Sequence, residues 1–153
     1  MAQALQDLYA EKSICYGCGP ASQHGLHIKS FIKGDKVVST WHPEPQHCAF
    51  PNILNGGIIG TLLDCHCNWA ACWYFMQDQE LEHPPSTVTA EYSVKMLRPT
   101  PLNKDITLEA ELVRVIDNRA FVNCNLISND NLCDTFHGIF VAVSNELPSC
   151  HRW

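Results

Sequence analysis

A chain of 153 residues is the size of one domain with one core, and a 46% hydrophobic content gives that core its material and excludes a disordered chain. The formal net charge is −6 with no run or stripe of lysine and arginine, which argues against nucleic acid as a partner and leaves a small anionic ligand on a local positive patch as the open case. Nine cysteines at irregular spacing follow a start (residues 1–13) that carries acids and no apolar h-region, so reduced thiols in a cytoplasmic protein are expected rather than a secreted disulfide framework.

Residues 2–13 suit a short amphipathic helix with Leu5, Leu8 and Tyr9 on one side. Residues 15–25 hold three glycines and a proline and read as a turn-rich connection. Two strands follow, 26–32 and 36–41, joined by a hairpin at Gly34-Asp35. Residues 42–52, with three prolines, form a loop into the stretch that organises the chain. From Asn55 to Met76 almost no polar face remains, so this helix is either buried or a membrane span. Asp64, His66 and Asn68 at its middle argue against lipid, and a central helix wrapped by protein is expected. It opens on Gly56-Gly57, where free backbone N–H groups can approach an anion or a polarised carbonyl.

Residues 77–85 are a polar exit loop. The clearest strand is 87–97, where Val88, Ala90, Tyr92, Val94 and Met96 alternate with polar residues before Pro99 and Pro101 end it. Strands at 106–116, 120–127 and 133–143 are separated by turns at Asp117-Asn118 and Asn129-Asp130-Asn131. The tail after Asn145 is expected to be loosely held. No repeat or domain boundary is visible, so residues 1–153 are one domain of order β-β-α-β-β-β-β, with the last four strands an antiparallel meander. The expected class is α+β: a curved antiparallel sheet of about six strands wrapped around one long helix, which is the hotdog fold.

The run Asn55-Gly56-Gly57-Ile58-Ile59-Gly60-Thr61-Leu62-Leu63-Asp64 resembles the His-Gly-Gly…Asp signature of hotdog acyl-CoA thioesterases of the phenylacetate-degradation (PaaI-like) type. The strand Val88-Thr89-Ala90-Glu91-Tyr92-Ser93-Val94, ending at Leu97-Arg98-Pro99, is similar to that family's strand after the helix. Cys15-Tyr16-Gly17-Cys18-Gly19-Pro20 followed by Gly25-Leu26 is similar to a segment in one branch of it. The likeness runs from about Cys15 to Val143. This chain has Asn55 where the family usually has His, and an Asn amide can still donate a hydrogen bond. The resemblance implies hydrolysis of an acyl-CoA thioester, no metal or redox cofactor, and a homodimer or homotetramer whose active sites are shared between subunits. It also implies that Thr89 helps to hold the attacking water.

Thioester hydrolysis needs an oxyanion stabiliser and a group that attacks or activates water. The Gly56 N–H, with Gly57 and the Asn55 side chain beside it, is the candidate for the first, and Asp64, as nucleophile or general base, for the second. Gly56 and Asp64 are eight residues apart, about 12 Å along a helix axis. They can hardly serve one carbonyl from the same helix, but a two-fold partner would bring one chain's Gly56 to the other's Asp64. Asn68, one turn past Asp64, can orient the carboxylate or touch substrate. Arg98, Lys95 and Arg119 are candidates for a cationic rim for the phosphates of coenzyme A.

Plainer readings stand beside these. Asp64 can be a structurally paired buried acid, Gly56-Gly57 a tight entry turn, Asn55 an N-cap and Thr89 an ordinary strand residue. Cys65, Cys72 and Cys124 lie in apolar runs and read as core filling. Cys15-x2-Cys18-x5-His24-x2-His27 has a spacing that can bind zinc, although His27 falls in an expected strand, and no metal site is assigned. His66 points away from Asp64, His137 has no obvious partner, and Trp69, Trp73, Tyr74 and Phe75 read as core or interface. Two rival functions remain: a hotdog hydratase or dehydratase, which wants a catalytic His at the helix start, and a non-catalytic module that binds acyl-CoA or another apolar ligand.

Overall fold

The apolar stretch forms α2, Gly56–Asp78, of 23 residues, in a computed structural model that describes residues 2–143. The tail after Asn145 lies outside the described residues. Six strands wrap α2: β1 (Phe31–Lys33), β2 (Lys36–Trp41), β5 (Thr87–Met96), β6 (Ile106–Ile116), β7 (Arg119–Ser128) and β8 (Asn131–Ala142). They form one antiparallel sheet of order β1-β2-β6-β7-β8-β5. A short helix α1 (Leu5–Tyr9) precedes them, and a small hairpin of β3 (Cys48–Phe50) and β4 (Ile53–Leu54) leads into α2. This is the curved sheet around one helix that the sequence led us to expect.

Period-two patterning aims alternate strand residues at the helix. Leu108 and Ala110 of β6, Val122, Cys124 and Leu126 of β7, and Phe136 and Phe140 of β8 are all buried. They meet Leu62, Leu63, Cys67, Ala70, Ala71 and Phe75 of α2 in one core. Each fully buried Leu or Phe contributes about 1.5–3 kcal/mol relative to exposure. Gly138 lies between the two phenylalanines of β8; a Cβ there would stand 2.6 Å from the Phe136 ring and 2.7 Å from Phe140. The two rings therefore close over a position that only glycine leaves open.

Four expectations need correction. The helix expected over residues 2–13 reduces to Leu5–Tyr9, with Leu8 exposed rather than on the packed side. The last four strands are not one meander: β6, β7 and β8 are, but β5 pairs with β8 at the sheet edge, and residues 97–105 carry the chain across to β6. The strand expected at 26–32 reduces to Phe31–Lys33, because His27 adopts φ +52°, outside the strand region. Residues 26 and 28 instead bond through Leu26 N–H to the Tyr16 carbonyl and Ile28 N–H to that of Gly17. The loop expected at 42–52 contains one 3-10 turn (Pro45–His47) and β3, with Asn52 at φ +66° in the turn to β4.

His66 ties these layers together. Its imidazole is fully buried, with Nδ1 2.8 Å from Ser30 Oγ and Nε2 3.0 Å from the Val37 carbonyl oxygen. Gln6 of α1 closes the network, donating to Ser30 Oγ and accepting from the Ser30 N–H. Nε2–H donates to the carbonyl and Nδ1 accepts from the serine hydroxyl, which is the pattern of a neutral ring. Burial pulls the His66 pKa down to about 4, only partly opposed by the bond to Val37. The unfolded chain thus binds a proton that the folded chain refuses between about pH 6.5 and 4, and stability falls as pH drops through that window. Denaturant melts between pH 7.5 and 4.5 are expected to show a loss on the order of 3 kcal/mol in the wild type that is missing from His66→Gln. Equal slopes in the two proteins would remove His66 as the origin.

Candidate active site

The N-terminus of α2 is fixed from three directions. Leu54 N–H bonds to the Thr100 carbonyl and Asn55 N–H to that of His47, both at 2.9 Å. Thr100 is itself held by its hydroxyl, which donates to the buried Asp134 Oδ2 at 2.8 Å. Asn55 is the N-cap, its Oδ1 accepting from Gly57 N–H at 2.7 Å and Ile58 N–H at 3.3 Å. The Gly57 amide is therefore engaged within the chain, whereas the Gly56 N–H is left out of the cap. The tip of Met96 lies at this first turn, 3.2 Å from where a Cβ on Gly56 would be.

Gly56, Gly60, Asp64 and Asn68 recur every four residues and so share one face of α2. Strand β5 runs past this face in the opposite direction. Met96 meets Gly56, the Tyr92 hydroxyl lies 3.6 Å from a Cβ position on Gly60, and Thr89 Oγ1 donates to Asp64 Oδ1 at 2.7 Å. Asn68 Nδ2 donates to the Thr87 carbonyl at 3.1 Å and reaches Thr89 Oγ1 at 3.5 Å. Asp64, Thr89 and Asn68 are thus brought together, with the threonine hydroxyl between acid and amide.

Asp64, half-buried, looks into a cavity of about 620 Å³, a size that suits a small-molecule site. Its floor is Asp64, Cys65, Asn68 and Trp69; Val88 and Thr89 form one wall, and Lys12 to Cys15 with Cys18 form the other. Lys12 is the cation in this lining, and nothing in its sequence surroundings marked it for that place. Arg98 lies elsewhere, beyond the far end of β5, with Nη1 donating to Asn131 Oδ1 at 3.2 Å. Lys95 and Arg119 are exposed and do not line the cavity.

The zinc spacing noted in the sequence does not assemble as such. His27 Nε2 lies against the Ser22 carbonyl oxygen, while Cys15 and Cys18 meet Cys65 of α2. Hydrogen bonds from Cys18 and Cys65 hold the Cys15 thiol well below its ordinary range. The same contacts push the Cys18 and Cys65 thiols up, with burial adding to the rise in both. Reading Cys65 as core filling missed this. His137 Nδ1 faces Asn123 Oδ1 on the outer side of the sheet, away from Asp64's cavity. Both His66 nitrogens are taken, so neither histidine supplies the base a hydratase wants.

No protein-family profile matches the chain, and no curated protein matches it. Solved structures do. A thioesterase superfamily protein from Shewanella loihica PV-4 is 28% identical, with 82% of this chain and 98% of that one covered and a TM-score of 0.67. The PaaI protein from the Escherichia coli phenylacetic acid degradation operon is 15% identical over 78% of this chain and 81% of its own, with a TM-score of 0.66. Zebra fish thioesterase superfamily member 2 is 19% identical over 80% and 90%, also at 0.66. The chain has the hotdog fold, and its structural likeness runs to thioesterase superfamily proteins, PaaI among them. Among the described residues no helix is long and apolar enough to cross a membrane.

The cap makes a direct prediction. Asn55→Ala is expected to cost about 1 kcal/mol in denaturant melts, while Asn55→Asp, which keeps the accepting oxygen, stays close to wild type. Equal losses in the two variants would show that the side chain serves some purpose other than capping.

Proposed function

We propose that the protein hydrolyses an acyl-CoA thioester to a free acid and coenzyme A in the cytoplasm. The observation that carries this reading is the Asp64 carboxylate, held by Thr89 on the wall of a substrate-sized cavity, in a thioesterase-like fold whose central helix opens on an uncapped glycine N–H.

In the proposed reaction the thioester carbonyl lies against the Gly56 N–H, where the positive end of α2 stabilises the oxyanion as it forms. Asp64 supplies the opposing half. As general base it takes a proton from water while the water oxygen bonds to the carbonyl carbon; as nucleophile its own oxygen forms that bond and water later releases the acid. In both routes the C–S bond breaks, and the coenzyme A thiolate leaves and is protonated. Thr89 keeps one carboxylate oxygen oriented so that the other faces the carbonyl, and Asn68 holds Thr89. Gly57 contributes by completing the cap rather than by donating to substrate. Lys12 of the chain that supplies Asp64, and Arg98 of the chain that supplies Gly56, are the cations we assign to the phosphates of coenzyme A.

The eight-residue separation on one helix makes a two-fold partner part of the proposal, as a dimer alone or doubled into a tetramer. The outer edge of β5 supports it. Tyr92, Met96 and Leu97 are 48%, 57% and 53% exposed along an edge strand beside the Gly56 face, a surface natural proteins rarely leave bare.

Two substitutions test the assignment on a panel of acyl-CoAs, with free acid followed by mass spectrometry. Asp64→Asn is expected to lower kcat about 10²–10⁴-fold while leaving the melting temperature near wild type. Thr89→Ala, which removes one hydrogen bond to the carboxylate, is expected to cost about tenfold. Full turnover in Asp64→Asn sinks the assignment, and tight acyl-CoA binding with no acid released from any member of the panel would leave the binding module as the correct reading.

A further inference from the structure

The three thiols that line the cavity have a use that hydrolysis does not claim. The Sγ atoms of Cys15, Cys18 and Cys65 all lie within 4.8 Å of one another, and Cys15 and Cys65 are 3.8 Å apart. A tetrahedral zinc site with Zn–S bonds of about 2.3 Å has an S···S edge of about 3.8 Å, so the spacing already matches a coordination edge. A disulfide needs about 2.05 Å and would require the chain to close in considerably.

The backbone is shaped to hold this geometry. Gly17, between the two loop cysteines, passes so close to α2 that a Cβ there would stand 2.3 Å from Cys65 Sγ. The loop turns back on itself through Gly19 N–H to the Cys15 carbonyl at 2.8 Å, which brings Cys18 beside Cys15. Trp69, one turn along from Cys65, donates its indole N–H to Cys18 Sγ at 3.3 Å. A buried N–H aimed at sulfur is the outer-shell contact that favours a thiolate ligand.

We propose that Cys15, Cys18 and Cys65 bind one soft d10 cation, Zn²⁺ or Cu⁺, through three thiolates, with a remaining position open to the cavity beside Asp64. Binding releases the thiol protons to solvent and forms three metal–sulfur bonds. Thiolate sets of this kind select zinc or cuprous ions over harder cations. The ion fastens residues 12–18, which form one cavity wall, to α2 at the residue next to Asp64. Its role is to keep the wall closed, and it stands whether or not the cavity hydrolyses thioesters.

The test uses the full chain, purified reduced and without oxygen. Elemental analysis measures what it carries, and Zn²⁺ and Cu⁺ are titrated separately against a chromophoric chelator suited to each. Co²⁺ serves as an optical probe for thiolate ligation. Stoichiometric binding of either ion, a thiolate-to-cobalt charge-transfer band and a higher melting temperature with metal are expected. Cys65→Ser and Cys15→Ser should each lower affinity more than about a hundredfold, beyond the loss of an outer-shell partner, while Cys48→Ser and Cys133→Ser bind as wild type. Cys15 is exposed, so its variant keeps the test open should Cys65→Ser fail to fold. No ion bound by the reduced wild type, or equal binding by wild type and Cys15→Ser, overturns the proposal.

Discussion

Two turns of α-helix separate the Gly56 amide from the Asp64 carboxylate, about 12 Å of axial rise that no side-chain rotation removes. The rigidity of that spacing comes from the sheet. The helix is buried along most of its length by β2, β6, β7, β8 and β5, so it can neither kink nor slide without opening the core. Chemistry that needs both groups at one carbonyl must find one of them on a second copy of the helix.

The sheet also supplies what a half-buried acid requires. An unpartnered carboxylate away from water costs several kcal/mol, and Thr89 meets that requirement with a hydroxyl at 2.7 Å from the strand that follows the helix. The same strand places Met96 and Tyr92 against Gly56 and Gly60, so the absent side chains on α2 are matched by long ones on β5. One face of one helix and one edge strand thus define the proposed donor, the acid and the surface on which a partner is proposed to sit.

Much of this was legible in the sequence, for reasons that are local. An all-apolar run with a central acid identifies α2, and period-two alternation with Asx and Gly turns identifies β2 and β5 to β8 within one or two residues. Asp64, Thr89 and Asn68 could be singled out because helix spacing and a resemblance to a signature both point at them. What escaped was non-local. The pairing of β5 with β8 rather than β6 depends on how a proline-bearing connection crosses the sheet, and strand patterning carries no record of it. Cys65 lies 47 residues beyond Cys18 in an apolar run, so a search for closely spaced ligands finds the nearer His24 and His27 and misses the sulfur that α2 delivers. Lys12 reaches the cavity only because the segment around Cys15 folds back over the helix. In each case a residue's neighbours in space are remote in sequence.

Mixed dimers test the shared site most directly. Asp64→Asn disables the acid, and Gly56→Val blocks the approach to the amide; each homodimer should be inactive. Co-purified through two different tags, the heterodimer holds one site with an intact glycine from one chain and an intact aspartate from the other. A site built across the interface predicts that this heterodimer recovers about half the wild-type turnover per dimer. A heterodimer as inactive as its parents, or a monomer that hydrolyses thioester at the wild-type rate, would contradict it.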